Sequence, residues 1–388
     1  MSARILRLLS DDLSAGGVAN KRAAAAEAFD FGLMEEACFT RMIAVERKRT
    51  ERSGKPFLLM LIQGQSLRPV NGTQELLQKL VSVLKSSIRE TDSAGWYESA
   101  RAVGVIFTEV GAADNGVIAA ILAKIAKGLR SQLSAEQMAR LEISLHRYPE
   151  EEQPPQRLDH LLLYPDLPRR DARNRAGQSL KRAIDVVGSA LLLLLLSPLL
   201  LLIVLATKLT SHGPVLFKQK RIGRYGIPFT FLKFRSMHVN SDPEIHKEYV
   251  SRLISGEQGL RHAGRNESGG VYKITQDPRV TAVGRFLRRT SLDELPQLWN
   301  VLTGEMSLVG PRPPIPYEFE CYDIWHRRRV VEAKPGITGL WQVTGRSRTS
   351  FDEMVRLDLK YVKSWSVWLD LEILLQTPRA VFSGDGAY

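Results

Sequence analysis

The feature that most restricts how this chain can fold is an apolar segment from Ala183 to Thr207, 25 residues long with one charged residue, Asp185. Six consecutive leucines, Leu191–Leu196, are followed by Ser197, Pro198 and four further leucines. At about 1.5 Å per residue, a helix of this length just crosses a hydrocarbon core roughly 30 Å thick. A helix buried in a soluble core is the alternative, but a run of leucines without a polar face disfavours it.

The flanks of this segment bear on its membrane topology. Both flanks are basic, and the positive-inside rule places both on the cytoplasmic side. Pro198 lacks an N–H group and kinks a helix, while Ser197 can bond the carbonyl that the kink frees. Each arm has about 10–15 residues, too few to cross alone. We therefore predict a re-entrant helix over residues 183–207, broken at Ser197 and Pro198; a kinked full span is the alternative. The basic residues are Arg169, Arg170, Arg173, Arg175, Lys181 and Arg182 upstream, and Lys208, Lys218, Lys220, Arg221 and Arg224 downstream.

The apolar segment also divides the chain, whose 388 residues suffice for two or three domains. Residues 1–148 predict a soluble α/β domain. Five prolines among mixed charges predict a linker over residues 149–177. Residues 178–388 are expected to form a mostly α, membrane-associated domain. The predicted strands are Phe57–Ile62, Arg101–Phe107 and Glu142–Leu145, and the predicted helices of the first domain are Glu35–Ser53, Gln74–Glu90 and Ala113–Gln132.

Charge narrows the class of partner. The chain has 54 Lys and Arg against 42 Asp and Glu, and this net charge of +12 predicts an anionic partner. Residues 1–175 carry +3 and residues 176–388 carry +9. A nucleic-acid-binding regulator would need a basic stripe with base-reading or stacking residues on a soluble fold. The surplus instead surrounds an apolar segment and a carboxylate pair, so we expect an anionic lipid bilayer and phosphorylated substrates, and no nucleic acid.

Residues 271–313 combine clustered cations with adjacent carboxylates. Arginine forks suit phosphate, and adjacent carboxylates suit a divalent metal or a nucleophile toward phosphorus. On charge alone, a salt-bridged, solvated helical face explains the pattern better. The run Arg327–Arg329 is interpreted in the same way, as solvated or lipid-facing. The clustered residues are Arg279, Arg285, Arg288 and Arg289, followed by Asp293 and Glu294.

Several long motifs resemble one family, the bacterial sugar transferases that start glycan assembly on a polyprenyl-phosphate lipid, also called monotopic phosphoglycosyl transferases. The resemblance covers roughly residues 178–380, and the motifs follow one another in the family's order, which makes it very specific. It implies a re-entrant membrane helix with a Ser-Pro break. The motifs are KRAIDVVGSALLLLLLSPLLLLIVLATKLTSHGPVLFKQKRIG, FTFLKFRSM, VYKITQDPRVTAVGRFLRRTSLDELPQLWNVLTGEMSLVGPRP, KPGITGLWQVTGR and DLKYVKSWSVWLDLEILLQT.

The resemblance implies a ping-pong reaction in which a UDP-sugar donates sugar-1-phosphate to polyprenyl (undecaprenyl) phosphate and releases UMP. By motif position, Asp293 is the nucleophile that forms an aspartyl phosphosugar intermediate, and it holds Mg²⁺; Glu294 is its catalytic partner. The positions that match phosphate- or substrate-binding residues are Lys233, Arg235, Arg288, Arg312 and Arg346.

The resemblance also implies a cellular role. It places the chain at the bacterial inner membrane, with the active site and the N-terminal domain facing the cytoplasm. The reaction would be the first membrane step of exopolysaccharide, O-antigen or capsule assembly. A membrane-anchored scaffold with an inactive transferase domain is the alternative, and an intact Asp293–Glu294 pair disfavours it.

Residues 36–110 resemble the nucleotidyl-cyclase-like fold of diguanylate cyclase (GGDEF) domains in their order of elements. In that family an Asp closes the first strand and binds metal, whereas Gln63 or a neighbour stands there here. The signature hairpin falls at Tyr97–Ala102, with no second acidic residue after Glu98. The resemblance implies a degenerate domain without cyclase activity, kept for regulation or self-association as a homodimer. An unrelated α/β domain is the alternative.

Overall fold

The computed structural model describes residues 32–64, 67, 74–110, 115–150, 158–238, 254, 279–344 and 350–382. The described residues divide into two compact units, one ending at Ala172 and the other beginning at Arg173.

The N-terminal unit contains a four-stranded antiparallel sheet in the order β2-β3-β1-β4. Leu58 of β1 lies opposite Phe107 of β3, and Phe57 lies opposite Tyr148 of β4. The expected α/β organisation is confirmed, and β2 adds a strand that the sequence patterns did not predict. The elements are α1 (Glu36–Ser53), β1 (Phe57–Gly64), α2 (Gln74–Ser87), β2 (Ser93–Glu98), β3 (Ala102–Phe107), α3 (Asn115–Gln132), α4 (Ala135–Ala139) and β4 (Leu141–Tyr148).

Strand β1 forms the centre of this unit. Every residue in Phe57–Ile62 is buried, so both faces of the strand need cover. On one face α2 and α3 supply apolar side chains such as Leu80 and Leu129. On the other face the Phe39 ring of α1 packs against Gly104, where a Cβ atom would lie 2.3 Å from the ring. That position of the strand therefore requires glycine.

The structure corrects the predicted linker, residues 149–177, over the part that it describes. Leu158–Leu163 forms a 3-10 helix, and Asp166–Arg173 forms helix α5. Arg47 of α1 donates to Asp166 Oδ1 at 2.7 Å, so α5 packs against α1. Pro168 falls in the first turn of α5, where a missing N–H group is tolerated. The prolines of residues 149–177 therefore suggested a linker where the chain in fact forms a helix.

The C-terminal unit is mostly helical, with one antiparallel hairpin (β5–β6) and one parallel strand pair (β7–β8). The Ser350 hydroxyl caps helix α13 (Phe351–Ser364) by accepting a hydrogen bond from Glu353 N. The Glu353 carboxylate in turn accepts one from Ser350 N. The elements are α6 (Arg175–Leu195), α7 (Ser197–Thr210), β5 (Leu216–Ile222), β6 (Pro228–Phe234), α8 (Ala282–Thr290), α9 (Gln297–Thr303), β7 (Ser307–Val309), α10 (Pro316–Glu320), α11 (Ile324–Glu332), β8 (Gly336–Thr338), α12 (Leu340–Thr344), α13 (Phe351–Ser364) and α14 (Val367–Phe382).

The apolar segment forms two helices rather than one. Helix α6 ends at Leu195, α7 begins at Ser197, and the two helices bend by 61°. Pro198 has no N–H group for Leu194 O, one turn back, and the Ser197 hydroxyl donates to that oxygen at 2.7 Å. The helix break thus lies at Ser197 and Pro198 and has a local cause.

Leucine side chains on both helices are exposed. The exposed fractions are 74% for Leu194, 71% for Leu195, 69% for Leu201 and 63% for Leu202. Contiguous exposed apolar surface marks an interaction site, so these values disagree with a helix buried in a soluble core. No single helix among the described residues has the length and hydropathy of a membrane span, whereas α6 and α7 reach both when taken together.

Polar residues at the start of the apolar segment anchor α6 to β7. Asp185, the one charged residue of the segment, is buried and accepts from the Ser307 hydroxyl at 2.9 Å. One turn earlier, Lys181 Nζ donates to Val309 O at 3.0 Å. Helix α6 therefore supports β7, which leads directly into residues 310–314, the proline segment.

Candidate active site

The adjacent carboxylates lie in a strained turn. Residues Leu292–Glu294 form a 3-10 turn directly after α8, whose first turn the Thr281 hydroxyl caps. Between them, Ser291 has φ 57° and ψ 17°, a left-handed conformation that costs a non-glycine residue about 1–2 kcal/mol. Strain of this kind is typical of functional sites. The turn buries Asp293, which is 6% exposed.

Lys233 lies beside the second carboxylate. Its Nζ atom is 3.4 Å from Glu294 Oε1, and it also lies 5.3 Å from the centre of the Phe231 ring. Both charged side chains are partly buried. Strand β6 therefore brings the predicted substrate-binding Lys233 to the carboxylate pair.

Two arginines on elements that pack against this turn keep polar atoms without an acceptor. Arg235, at the end of β6, donates from Nη2 to the Ser211 carbonyl at 2.8 Å and to its hydroxyl at 2.6 Å. Its Nε and Nη1 atoms, and Nη1 of Arg288 on α8, are buried without a hydrogen-bond acceptor in the described part of the chain. Such groups call for an acceptor, and a phosphate oxygen is well suited to a guanidinium group.

A close approach holds these two elements together. A Cβ atom on Gly284 of α8 would lie 2.0 Å from Ser236 O, which follows β6. Thr281 N donates to the same carbonyl at 3.0 Å. Apolar packing of Phe234 and Leu287 completes the contact. The backbone next to Arg235 is therefore fixed against the helix that carries Arg288.

Arg312 is presented by the proline segment. Its neighbours Pro311 and Pro313 are buried, whereas Arg312 is half-buried. The Arg312 guanidinium makes no hydrogen bond or ion pair with the residues that the structure describes. It is therefore available to bind an anion.

Arg221 belongs to the basic flank of the apolar segment in sequence, but the fold gives it a different place. It is buried on β5 and donates to Pro313 O at 2.7 Å. Burial lowers the pKa of Arg221 to about 10, and the charge of Arg312 acts in the same direction, whereas Glu318 and Glu294 oppose it. The charges of Arg312 and Glu294 thus both act on Arg221. The sequence does not distinguish Arg221 from the exposed cations next to it, so its burial could not be predicted.

The interpretation of Arg327–Arg329 as a solvated or lipid-facing run is wrong for Arg329. Arg329 is 2% exposed and donates to Asp358 Oδ2 at 2.7 Å. Arg328 bonds Glu332 at 2.9 Å, and Arg327 donates to Tyr322 O at 3.0 Å. Arg327 and Arg328 thus bond partners four or five positions away, whereas the partner of Arg329, Asp358, lies 29 positions along the chain on α13.

Two expectations remain outside what the structure reports. Arg346 lies in residues 345–349, and the first part of the carboxylate-bearing motif lies in residues 271–278, both outside the described residues. Within the described residues, no three His, Cys, Asp or Glu side chains cluster as a metal site. Two carboxylates, those of Asp293 and Glu294, are enough for Mg²⁺, which commonly takes one or two carboxylates and completes its shell with water and substrate phosphates.

The C-terminal half of the chain is similar to known proteins. Residues 176–384 match the family model described as bacterial sugar transferase. The chain is 45% identical over 217 residues to the undecaprenyl-phosphate galactose phosphotransferase of Salmonella typhimurium, covering 55% of this chain and 43% of that protein. It is 41% identical over 215 residues to the exopolysaccharide production protein ExoY of Rhizobium meliloti, covering 55% of this chain and 89% of that protein. The chain therefore spans less than half of the Salmonella relative and most of ExoY.

Solved structures also match part of the chain. A solved structure described as a DGC protein from Thermotoga maritima covers 30% of this chain and 82% of that chain, with a TM-score of 0.24 and 20% identity. A TM-score this low does not decide the fold family of the N-terminal unit. The degenerate cyclase-like domain stays a prediction.

Proposed function

Because the chain belongs to the bacterial sugar transferase family, we propose that it transfers sugar-1-phosphate from a UDP-sugar to polyprenyl phosphate and releases UMP. The observation that carries the proposal is the buried Asp293 beside Glu294, with arginine N–H groups on adjacent elements that lack an acceptor among the described residues. The Salmonella relative, described as an undecaprenyl-phosphate galactose phosphotransferase, supports the lipid acceptor.

Asp293 acts as the nucleophile in the proposed mechanism. Its carboxylate oxygen attacks the phosphorus on the sugar side of the diphosphate. The bond from that phosphorus to the bridging oxygen breaks, and UMP leaves with the electron pair. An oxygen of polyprenyl phosphate then attacks the same phosphorus and displaces the Asp293 carboxylate. The products are UMP and a polyprenyl-diphosphate sugar, and the enzyme is restored.

The surrounding side chains bind the phosphate groups and accept a proton. Arg235, Arg288 and Arg312 bind phosphate oxygens, because their guanidinium groups retain donors for them. Lys233 holds Glu294 in place, and Glu294 accepts the proton of the acceptor phosphate or orients that phosphate. By its place in the family motif, Arg346 adds a further anion-binding group.

Mg²⁺ is the proposed cofactor. Asp293 would hold it, with Glu294 adjacent. When bound, the ion supplies charge neutralisation for the diphosphate and for the leaving UMP. The donor set fits an ion that takes its other ligands from water and substrate phosphates.

The proposed location is the bacterial inner membrane, with both units on the cytoplasmic side. Exposed leucines on α6 and α7, the 61° bend and the basic flanks support a re-entrant helix in an anionic bilayer. The proposed role is the first membrane step of exopolysaccharide, O-antigen or capsule assembly. For the N-terminal unit, we propose regulation or self-association as a homodimer.

Cysteine labelling tests the topology. The exposed native thiols, Cys38 and Cys321, are first replaced by serine. Single cysteines are then introduced by Ser179→Cys and His212→Cys, on either side of the apolar segment Ala183–Thr207. Both are expected to react with a membrane-impermeant reagent only after the cytoplasmic side is opened. Labelling of one of them from the periplasmic side would establish the kinked full span instead.

Asp293→Asn tests the chemistry. The variant is expected to lose Mg²⁺-dependent UMP release from every UDP-sugar in a panel, because an amide cannot form the aspartyl phosphosugar. Asp323→Asn is the matched control: its side chain is 75% exposed, and asparagine caps a helix as well as aspartate. Full activity in Asp293→Asn would disprove the nucleophile assignment. Absence of UMP release in the unaltered chain would favour the inactive membrane scaffold.

A further inference from the structure

The proline segment has few backbone donors of its own. Three of its five residues, Pro311, Pro313 and Pro314, lack N–H groups. Its buried carbonyl oxygens therefore need donors from other parts of the fold. Arg312 is the one residue of this segment that is not fully buried. Its placement depends on those outside donors.

Two buried guanidinium groups bind two carbonyl oxygens of the segment, those of Arg312 and Pro313. Arg329 Nη1, from α11, donates to Arg312 O at 3.3 Å. Arg221 Nη1, from β5, donates to Pro313 O at 2.7 Å. The neighbouring carbonyls are bound by backbone groups, Gly336 N to Pro311 O at 2.9 Å and Ile222 N to Pro314 O at 2.9 Å.

Both guanidinium groups are themselves held in place. Arg329 is 2% exposed and donates to Asp358 Oδ2 at 2.7 Å and to the Tyr322 hydroxyl at 2.6 Å. Arg221 is 4% exposed, and its Nε atom donates to Gln219 Oε1 at 3.0 Å. Burying an arginine costs several kcal/mol unless its donors are bound. Two such residues that donate to one short segment indicate a requirement for its exact placement.

Arg221 also places a second positive charge close to Arg312. It forms no ion pair with the described residues, and after burial the Arg312 charge has the largest effect on its pKa. Two neighbouring cations repel each other more strongly in a partly buried site than in water. An anion bound to Arg312 would relieve that repulsion.

We infer that Arg221 and Arg329 are positioning residues, which hold Arg312 through its backbone so that its guanidinium group binds a substrate phosphate. The inference rests on the proposed function. Arg312 contacts the phosphate, and Arg221 and Arg329 act through Arg312. The phosphate belongs either to the diphosphate of the nucleotide sugar or to the polyprenyl phosphate.

Kinetics of UMP release by the full chain test this inference. Arg221→Lys and Arg329→Lys are each expected to raise the KM of one phosphate substrate about tenfold, with a smaller change in kcat, because binding loses a preorganised partner. Separate titrations of UDP-sugar and of polyprenyl phosphate identify which substrate Arg312 binds. Arg328→Lys is the matched control, since its neighbour Glu332 rather than the proline segment accepts its bond.

A double-mutant cycle separates positioning from a general structural role. If Arg329 acts through Arg312, then Arg329→Lys adds less than about twofold to the KM of Arg312→Lys. If the two fold-changes multiply, or if only the melting temperature falls while KM is unchanged, the inference is wrong. Should Arg329→Lys fail to fold, Tyr322→Phe removes one anchor of the same guanidinium, and Arg221→Lys provides the parallel cycle.

Binding of inorganic pyrophosphate to the full chain distinguishes failure of the inference from failure of the proposed function. If no UDP-sugar yields UMP, the proposed function fails. The inference still predicts that Arg312→Lys and Arg329→Lys weaken pyrophosphate binding about tenfold each, without multiplying in the double variant. Unchanged pyrophosphate affinity in Arg329→Lys would contradict it.

Discussion

Arg47 in the N-terminal unit and Arg288 in the C-terminal unit show two uses of one residue type. Arg47 donates to both carboxylate oxygens of Asp166, at 2.7 and 2.9 Å, and its guanidinium group lies 4.2 Å from the centre of the Tyr164 ring. Arg288 keeps a buried Nη1 atom without an acceptor in the described part of the chain. The first arginine joins α5 to α1. The second retains binding capacity for a ligand.

The difference separates arginines that stabilise the fold from arginines that serve the site. A donor satisfied by the protein contributes to folding in the absence of any ligand. A buried donor without a partner lowers stability, and its presence is explained when a ligand supplies the acceptor. The two classes should therefore respond in opposite ways to substitution.

Arg288→Met gives the largest expected effect. It is expected to reduce kcat/KM for UMP release about 100-fold, because one charge-assisted contact to the transferring phosphate is lost. The melting temperature should change little, since no protein acceptor loses its partner. Arg289→Met, one position along and exposed, is the control and should change kcat/KM less than about twofold. If Arg288→Met instead lowers the melting temperature strongly and keeps its activity, Arg288 stabilises the fold and does not serve the site.

Arg47→Met should show the opposite pattern. It is expected to cost about 2 kcal/mol of stability, because Asp166 loses a charged partner, and to lower the melting temperature of the N-terminal unit by several degrees. UMP release by the folded protein should stay within about twofold. Calorimetry and initial rates on the same sample check both values. A loss of activity larger than the fall in folded fraction would mean that Arg47 serves the site as well.

Removal of residues 1–172 gives the smallest expected effect on chemistry. The family match begins at residue 176, and ExoY is covered over 89% of its length by the aligned part of this chain. We expect kcat/KM of the shortened protein to stay within about threefold of the full chain. Loss of all activity in a shortened protein that remains folded would show that the N-terminal unit contributes to the site.

The sequence alone predicted those features that depend only on residues close together in the chain. Pro198 and the helix break in α6–α7 follow from a missing N–H group, and the buried strand at Phe57–Ile62 follows from an unbroken apolar run. The adjacent carboxylates were found because a motif keeps them next to each other. None of these required knowledge of distant contacts.

The errors arose where the partner is far away in sequence. Arg221 is bonded to Pro313, 92 positions along, and Arg329 is bonded to Asp358, 29 positions along. A run of cations looks the same whether it is solvated or buried, because burial is decided by those distant partners. Ser291 likewise shows no sequence signal for its left-handed backbone. Tertiary structure alone reveals these features.

The central claim is that Asp293 carries the sugar phosphate between the two substrates. Its most direct test is the intact mass of the full chain after incubation with Mg²⁺ and its preferred UDP-sugar, without polyprenyl phosphate. The account predicts a mass increase equal to one sugar-phosphate group, located on the peptide that contains Asp293, and UMP released in equal amount. Adding polyprenyl phosphate should remove the added mass. An unmodified chain that still transfers the sugar phosphate when both substrates are present would contradict the account.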